Sequence, residues 1–232
     1  MTDCDVAEAG SDSEPASAMS GGLPDGVALW LVRHGETQWS KAGRHTGRTD
    51  VRLTAHGERQ AVNLRAVLAA VHPVLVLCSP LERARATARL AELSVDAIDD
   101  DLAEWDYGDF EGRTAAEIRA EVPDWTLWTH GVPNGETAAE VGARADRVLR
   151  RAAESLGRGA VVLIAHGHIC RVIGARWIGL PVSAGGHLTL ATAAPSLLSR
   201  QYSIPVIDRW NIPNPVATSS GEVAMSPRST AP

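Results

Sequence analysis

Three short runs of apolar residues stand out in the sequence, and each ends abruptly at polar residues. The runs are Val27 to Val32, Val74 to Cys78 and Val161 to Ala165. None of them alternates between apolar and polar positions. Continuous apolar runs of this length are typical of strands that are buried on both faces of a parallel sheet.

Segments with helical spacing of apolar residues lie between and after these strands. A helix is predicted from Thr54 to about Val71, with Ala61, Leu64 and Leu68 on one face. Further helices are predicted from Leu81 to Leu93, from the capping boxes that begin at Thr114 and Thr137, and after His168 to about Gly179.

The last apolar segments predict how the sheet ends. They are Leu188 to Thr192, Ser196 to Ser203 and Pro205 to Asn211, and the last two predict an edge hairpin. Alternating strands and helices predict an α/β three-layer sandwich. Its sheet is mostly parallel, with helices on both faces and one antiparallel edge.

The acidic residues are unevenly distributed along the chain. The formal net charge is −6, but residues 1–26 hold six acidic residues and no Lys or Arg, so the remainder is close to neutral. We expect a disordered acidic tail over residues 1–25, one domain over 26–211 and a second disordered tail over 212–232. A near-neutral domain argues against nucleic-acid binding.

The lengths of the apolar runs and the number of cysteines indicate the cellular compartment. The longest apolar runs fall well short of the roughly 20 residues of a membrane span, and the N-terminus lacks the pattern of a secretory signal. Cys4, Cys78 and Cys170 are too scattered for a disulfide framework or a zinc site. We therefore expect a cytoplasmic protein without membrane partners. The sequence leaves the oligomeric state open, with a homodimer as one option.

Basic side chains and histidines follow the three predicted strands. Arg33 and His34 follow the first, Arg83 lies just past the second, and His166 and His168 follow the third. Carboxyl ends of parallel strands meet at one edge of a sheet, so these groups should lie close together. A guanidinium group can donate two parallel hydrogen bonds to two oxygens of a phosphate group. The cluster of basic residues therefore predicts a phosphate site.

Four motifs in this order resemble the histidine phosphatase superfamily, over roughly residues 27 to 211. They are Arg33-His34-Gly35-Glu36-Thr37, Arg83 after Ser79-Pro80, Glu104 before Tyr107-Gly108, and Ala165-His166-Gly167-His168. The resemblance implies that His34 is a nucleophile that forms a phosphohistidine. It also implies that Arg33, Arg83 and His166 hold the phosphoryl oxygens.

In the same resemblance Glu104 protonates the leaving oxygen and then deprotonates water. An acidic to neutral pH optimum follows, because Glu104 must first carry a proton. Further substrate contacts are expected from the family positions Gly35, Ser40, Thr46, Gly47, Tyr107 and Gly167. Lys41, Arg44 and Arg48 could hold a second anionic group.

The resemblance is strongest to a phosphatase branch that includes sedoheptulose-1,7-bisphosphatase and actinobacterial acid phosphatases. The expected substrate is a small phosphate ester, such as a sugar phosphate or bisphosphate. Phosphoglycerate mutase activity is the first alternative, but Arg119 is the only Lys or Arg between Arg113 and Thr137 to grip a carboxylate. A non-catalytic phosphate-ester-binding protein is the second. No cofactor is expected, and no metal, since arginines supply the charge.

The other histidines and the tryptophans are interpreted as structural. This group contains His45, His56, His72, His130 and His187, with Trp105, Trp125 and Trp128 as packing residues. His45 stands where the phosphatase branch would carry an aromatic side chain. His168 is equally compatible with a supporting role in the site and with the start of a helix.

Overall fold

A six-stranded sheet forms the centre of the structure, a computed structural model that describes residues 23–214. The strands lie in the order β3-β2-β4-β1-β5-β6. Their bounds are Leu29–Arg33 (β1), Pro73–Cys78 (β2), Ala97–Ile98 (β3), Ala160–Ala165 (β4), Pro195–Gln201 (β5) and Ile204–Arg209 (β6).

The strand pairing confirms the predicted fold class. β1 and β2 both pair with β4 in parallel, and β2 pairs with β3 in parallel. β5 runs antiparallel to β1 and to β6, so the predicted edge hairpin is present. The sheet is therefore mostly parallel with one antiparallel edge.

Helices cover both faces of the sheet. Their bounds are Gln38–Lys41 (α1), Ala55–Val67 (α2), Glu82–Leu90 (α3), Ala115–Arg119 (α4), Leu127–His130 (α5), Ala138–Leu156 (α6) and Gly167–Trp177 (α7). Leu29 and Leu31 of β1 face a core built with α6 and α7, whereas Val32 faces one built with α2 and α3. Alternate residues of β1 thus serve opposite faces, as its unbroken apolar run predicted.

Threonine capping boxes begin three of the helices. Thr114 and Thr137 cap α4 and α6 as predicted, and Thr37 caps α1, a short helix in the segment after β1 that the sequence did not indicate. In each case the threonine hydroxyl accepts the backbone N–H of the residue three positions later. The side chain of that later residue in turn accepts the backbone N–H of the threonine. These caps fix where the helices begin.

Two segments near the sheet differ from the expectations. Ala97–Ile98 forms the parallel edge strand β3, in a stretch whose acidic residues obscure any strand pattern. Leu188 to Thr192 does not form a strand, because its backbone carbonyls bond to side chains instead. The carbonyl of Leu190 accepts Arg33 Nη1 and that of Thr189 accepts Trp210 Nε1.

The inner ends of the two predicted tails have defined contacts. Leu23 packs against the core, and Asn214 Nδ2 donates to the backbone carbonyls of Gln60 and Ala193 at 2.9 Å. The rest of the predicted tails, residues 1–22 and 215–232, lies outside the described residues. Within residues 23–214 the structure contains no helix with the length and apolar character needed to cross a membrane.

Candidate active site

The ends of β1, β2 and β4 meet at one edge of the sheet. The His34 backbone N–H donates to the carbonyl of Ala165 at 3.0 Å, and that of Ser79 donates to Ile164 at 2.9 Å. The residues that follow these three strands are thereby brought together, which is the arrangement that the parallel topology predicted.

A cavity of about 170 Å³ lies at this edge. Seven predicted site residues line it: Arg33, His34, Ser40, Thr46, Glu104, Tyr107 and Gly167. The remaining lining residues are Gly43, Arg44, His45, His168, Arg171 and Leu190. Four predicted site residues, Gly35, Gly47, Arg83 and His166, are not part of the lining.

His34 is buried and held in one tautomer. Its Nδ1 lies 2.7 Å from the carbonyl oxygen of Gly35. A carbonyl can only accept, so Nδ1 carries the proton and Nε2 keeps its lone pair. Burial, together with the charges of Arg83 and Arg33, lowers the pKa of His34 well below its ordinary value. His34 is therefore a neutral imidazole with an unprotonated Nε2 nitrogen, as a nucleophile requires.

Arg33 supplies an unused donor at the cavity. Its Nη1 donates to the carbonyl of Leu190, but its buried Nε has no hydrogen-bond partner among the described residues. Burial lowers the pKa of Arg33, yet a guanidinium of this starting pKa remains charged near neutrality. A buried donor without a partner is costly, and an anionic ligand would satisfy it.

Arg83 and His166 lie behind the cavity wall and bond to each other. Arg83 Nε donates to His166 Nδ1 at 3.0 Å, so His166 must donate from Nε2 to the hydroxyl of Ser79, 2.6 Å away. The His34 and His166 rings are 5.1 Å apart. Burial and the neighbouring charge of Arg83 lower the pKa of His166. Both side chains therefore lie next to His34 on the side away from the cavity, where they can hold it in position.

The guanidinium of Arg83 also ties down the loop after α1. It donates to the backbone carbonyls of Thr46, Gly47 and Thr49, each at 2.9 Å. Glu111 holds the same loop by accepting the backbone N–H groups of Gly47 and Thr49. Gly47 therefore has a structural role here, since an added Cβ would lie 2.7 Å from Glu111 and from the Trp105 carbonyl.

Gly35 is required by packing rather than by contact with the cavity. A Cβ at this position would lie 2.4 Å from the carbonyl oxygen of Gly57 in α2. The backbone N–H of Gly35 donates to the Thr87 hydroxyl of α3 at 3.0 Å. The close approach of these helices to the end of β1 fixes the backbone beside His34.

The Glu104 carboxylate accepts three backbone N–H groups. Oε2 accepts that of His168 at 2.9 Å, and Oε1 accepts those of Ile169 at 2.9 Å and Trp105 at 3.0 Å. Burial raises the pKa of Glu104, but its hydrogen bonds, first of all those with His168, outweigh this effect, so the pKa is lowered well below its usual value. Glu104 is therefore a carboxylate at neutral pH, whereas the sequence-based mechanism needs it protonated first.

The basic residues predicted to hold a second anionic group are mostly engaged elsewhere. Arg48 Nε pairs with Asp106 Oδ2 at 3.2 Å, and Lys41 is exposed. Arg44 lines the cavity, but its Nη1 donates to the Gly112 carbonyl and lies 3.6 Å from Glu117. Of these three, only Arg44 is positioned to meet a ligand.

His45 and Arg171 line the cavity, although the sequence analysis did not assign them to the site. His45 stacks on His168 with ring centroids 6.1 Å apart, and Arg171 lies over the Trp128 ring at 4.6 Å. Arg171 also donates to the carbonyls of Gly185 and Gly186. Helical periodicity could have indicated Arg171, because it follows His168 by three residues in α7.

The tryptophans pack largely as predicted. Trp105 and Trp125 are buried in the core beside α6. Trp128 is partly buried and lies 5.4 Å from the His168 ring. It therefore supports two lining side chains, His168 and Arg171, from outside the cavity.

Lowering the pH is expected to destabilise the fold through His34 and His166. Both have a lowered pKa in the folded chain against an ordinary 6.5. Below pH 6.5 these two histidines are protonated in the unfolded chain but stay neutral in the folded chain. The free energy of unfolding therefore has its full value above this pH and decreases as the pH falls. Between pH 7 and 5.5 the two histidines together should lower the free energy of unfolding by about 2–3 kcal/mol.

Urea unfolding at the two pH values measures this effect. His34→Asn should remove roughly half of the difference. Equal unfolding free energies at pH 7 and 5.5 would contradict the burial of neutral imidazoles.

The described residues contain no group of three or more His, Cys, Asp or Glu side chains that could hold a metal ion. The positive charge at the cavity instead comes from the guanidinium groups of Arg33, Arg44 and Arg171.

Comparison with known proteins identifies the family. A family model described as the histidine phosphatase superfamily (branch 1) matches residues 29–213, so the chain belongs to this superfamily and the resemblance of its motifs is confirmed. An acid phosphatase of Mycobacterium tuberculosis is 40% identical over 194 residues, which cover 82% of this chain and 96% of that protein.

Two further relatives agree with this assignment. The sedoheptulose 1,7-bisphosphatase of Saccharomyces cerevisiae is 37% identical over 185 residues, covering 66% of this chain and 68% of its own length. A solved structure of an open reading frame product from Mycobacterium tuberculosis superposes with a TM-score of 0.79 at 39% identity. It covers 81% of this chain and 98% of its own.

Proposed function

We propose that the protein is a phosphatase that hydrolyses a phosphomonoester of a small molecule through a phosphohistidine at His34. One observation carries the proposal. The neutral, buried His34 lines the same cavity as the Arg33 guanidinium, whose Nε has no hydrogen-bond partner among the described residues. A nucleophile beside an unused cationic donor suits attack on a phosphoryl group.

In the first step the lone pair of His34 Nε2 attacks phosphorus and the ester oxygen leaves. Arg33 offsets the charge on the phosphoryl oxygens, and the lowered pKa of His34 keeps the lone pair available at neutral pH. Arg83 and His166 act from behind, through the contacts that hold the loop and the His34 environment. In the second step water attacks phosphorus, which releases phosphate and restores His34.

Proton transfer belongs to the opposite end of the cavity, where Glu104, Tyr107 and His168 lie together. This end also carries His45 and Arg171, and it is where the alcohol part of a substrate would fit. A polar, partly aromatic wall of this kind suits a sugar phosphate. The relative named sedoheptulose 1,7-bisphosphatase supports the same substrate class.

Mutase activity is not favoured by the structure. Arg119, the only Lys or Arg between Arg113 and Thr137, donates through Nε to the carbonyl of Trp125 at 2.8 Å and does not line the cavity. A carboxylate clamp from this segment is therefore not in place.

The test is a phosphate-release assay over sugar mono- and bisphosphates, with 3-phosphoglycerate included. We expect free phosphate from at least one sugar ester and no 2-phosphoglycerate. Rapid quenching with a ³²P-labelled substrate should trap an acid-labile, base-stable phosphoprotein in the native chain but not in His34→Asn. Isomerisation of phosphoglycerate without phosphate release, or a chain inert towards every ester, would contradict the proposal.

A further inference from the structure

The segment that carries Glu104 has no helix or strand to hold it. Residues 103–107 lie outside the regular elements, between the single helical turns of Asp100–Leu102 and Gly108–Phe110. Glu104 nevertheless lines the cavity with a side chain that is almost fully buried. The backbone groups of such a segment need partners elsewhere in the fold, and those partners decide where its side chains lie.

Arg144 of α6 supplies several of these partners. Its Nη1 donates to the carbonyls of Asp101 and Ala103, at 2.7 and 3.0 Å, and its Nη2 lies 3.5 Å from the carbonyl of Glu104. Its Nε and Nη2 also donate to the two carboxylate oxygens of Glu136, at 2.7 and 2.8 Å. Because a guanidinium carries five N–H groups, every donor of Arg144 has an acceptor.

Glu136 binds the other side of the same segment. Its backbone carbonyl accepts Trp105 Nε1 at 2.8 Å, and its Oε2 accepts the backbone N–H of Asp106 at 2.9 Å. Its own N–H donates to the Asp106 carbonyl at 3.0 Å. A Cβ on the preceding residue, Gly135, would collide with this same carbonyl. The two segments therefore approach as closely as their backbones allow.

We propose that the ion pair of Arg144 and Glu136 positions Glu104 for proton transfer at the cavity. The assignment rests on the proposed phosphatase function and names two positioning residues for it. The pair fixes the backbone on both sides of Glu104, at Ala103 and at Asp106, while the first N–H groups of α7 hold the carboxylate. Neither Arg144 nor Glu136 lines the cavity, so both act through Glu104 and not through the substrate.

Stability alone does not account for an ion pair at this place. The side chains of Arg144 and Glu136 are 12% and 15% exposed, so both charges lose most of their hydration. This loss can equal or exceed the attraction between the charges, and an apolar pair of similar volume is often as stable. An apolar pair could neither donate to the carbonyl of Ala103 nor accept the N–H of Asp106. The ion pair therefore fixes the path of the segment as an apolar pair could not.

The placement of Glu104 affects both steps of the proposed reaction. As phosphorus bonds to His34 Nε2, the ester oxygen takes the proton of the Glu104 carboxyl group and leaves as an alcohol. Water then attacks phosphorus and gives a proton back to the carboxylate, and the bond to His34 breaks. A bound phosphate dianion favours the protonated carboxyl group beside it, so Glu104 gains its proton with the substrate in place. A displacement of about 1 Å can slow such steps on the order of 100-fold.

The experiment compares a sugar phosphate with p-nitrophenyl phosphate in Arg144→Lys. A lysine keeps the charge but has three N–H donors and cannot form the planar fork to both oxygens of Glu136. The sugar ester must expel an alkoxide, which needs a proton, whereas the aryl ester expels a stable phenolate. We expect kcat/KM on the sugar ester to fall about 100-fold, and kcat/KM on the aryl ester to change less than about fivefold.

The step in which water attacks provides a second measurement, because it is common to both esters. With Glu104 displaced, the phosphohistidine breaks down slowly. Turnover of the aryl ester by Arg144→Lys should therefore begin with a burst of about one p-nitrophenolate per chain, followed by a steady rate well below the native one. Glu136→Gln, which keeps the shape of the side chain without its charge, should show both effects to a smaller degree. Retained kcat/KM on the aryl ester also reports that each variant is folded.

Asp146→Asn is the matched control. Asp146 also lies on α6 and forms a comparably buried ion pair with Arg176 of α7, through contacts of 2.7 and 2.9 Å. In the structure described, neither partner forms a hydrogen bond to residues 103–107. We expect Asp146→Asn to lower the free energy of unfolding but to leave the ratio of the two kcat/KM values unchanged.

The other outcomes would overturn the assignment. Equal losses on both esters in Arg144→Lys, or the same change of ratio in Asp146→Asn, would give Arg144 a general structural role. An unchanged rate on the sugar ester would show that α7 alone holds Glu104. If Arg144→Lys does not fold, a native ratio in Glu136→Gln overturns the proposal by itself. A native chain inert on both esters would instead overturn the phosphatase function, and this assignment with it.

Discussion

His34→Ala should abolish turnover of phosphate esters, with kcat reduced by about 10⁵-fold or more. The variant removes the lone pair that would attack phosphorus, and the neighbouring His166 cannot replace it. His166 lies 5.1 Å away, but Arg83 and Ser79 occupy both of its ring nitrogens. Substitution of this single side chain therefore removes the nucleophile that follows β1.

Binding should survive this substitution, which separates catalysis from recognition. Arg33 still presents its unpartnered Nε to the cavity, so inorganic phosphate should bind to His34→Ala with an affinity within about tenfold of the native chain. Calorimetric titration with phosphate measures this, and His56→Ala provides a control at an exposed position. Undiminished turnover in His34→Ala would exclude the phosphohistidine pathway.

Arg83→Ala should cost about 3–5 kcal/mol of unfolding free energy. The fully buried guanidinium donates to the carbonyls of Thr46, Gly47 and Thr49 and to His166 Nδ1. Its removal leaves these acceptors without their donor and creates a cavity behind the site. In a chain of this size the loss corresponds to a fall in Tm of roughly 10 °C.

The matched control lies on the same helix. Arg89 is exposed, and its Nη2 pairs with Glu82 at 3.1 Å, so Arg89→Ala should cost less than about 1 kcal/mol. Urea unfolding of both variants makes the comparison. Similar losses for Arg83→Ala and Arg89→Ala would show that the four buried hydrogen bonds add little stability.

The strands and long helices could be predicted from the sequence because their signals are local. Unbroken apolar runs indicate β1, β2 and β4, and a threonine capping box marks the start of α6. β3 could not be found this way, because two residues beside β2 do not make a periodic pattern. The segment around Leu190 is apolar like a strand but irregular in the structure. Its hydrogen bond with Arg33 is a tertiary contact, which the local sequence pattern does not reveal.

The motifs in the sequence predicted part of the candidate site, but not the tertiary contacts that complete it. Arg33 and His34 at the end of β1 line one cavity with Glu104, which lies in an irregular segment. The position of Arg83 behind the wall was not predictable, because its partners are backbone carbonyls of a distant loop. The place of His45 in the cavity lining was not predictable for a related reason. A loop residue shows no periodicity, and the stacking of His45 on His168 arises only in the folded chain.

In the proposed function the cavity has a phosphate end and an alcohol end, which different parts of the fold provide. The phosphate end rests on strand ends and on α3, where Gly35 cannot acquire even a methyl group without displacing α2. The alcohol end is formed by surface loops around residues 43–46 and by one face of α7. Arg83 connects the two ends, because it donates to His166 and to the carbonyl of Thr46 in this loop. A change of substrate through this loop would have to preserve that carbonyl, so tolerated substitutions are expected to alter the side chains of the loop and not the course of its backbone.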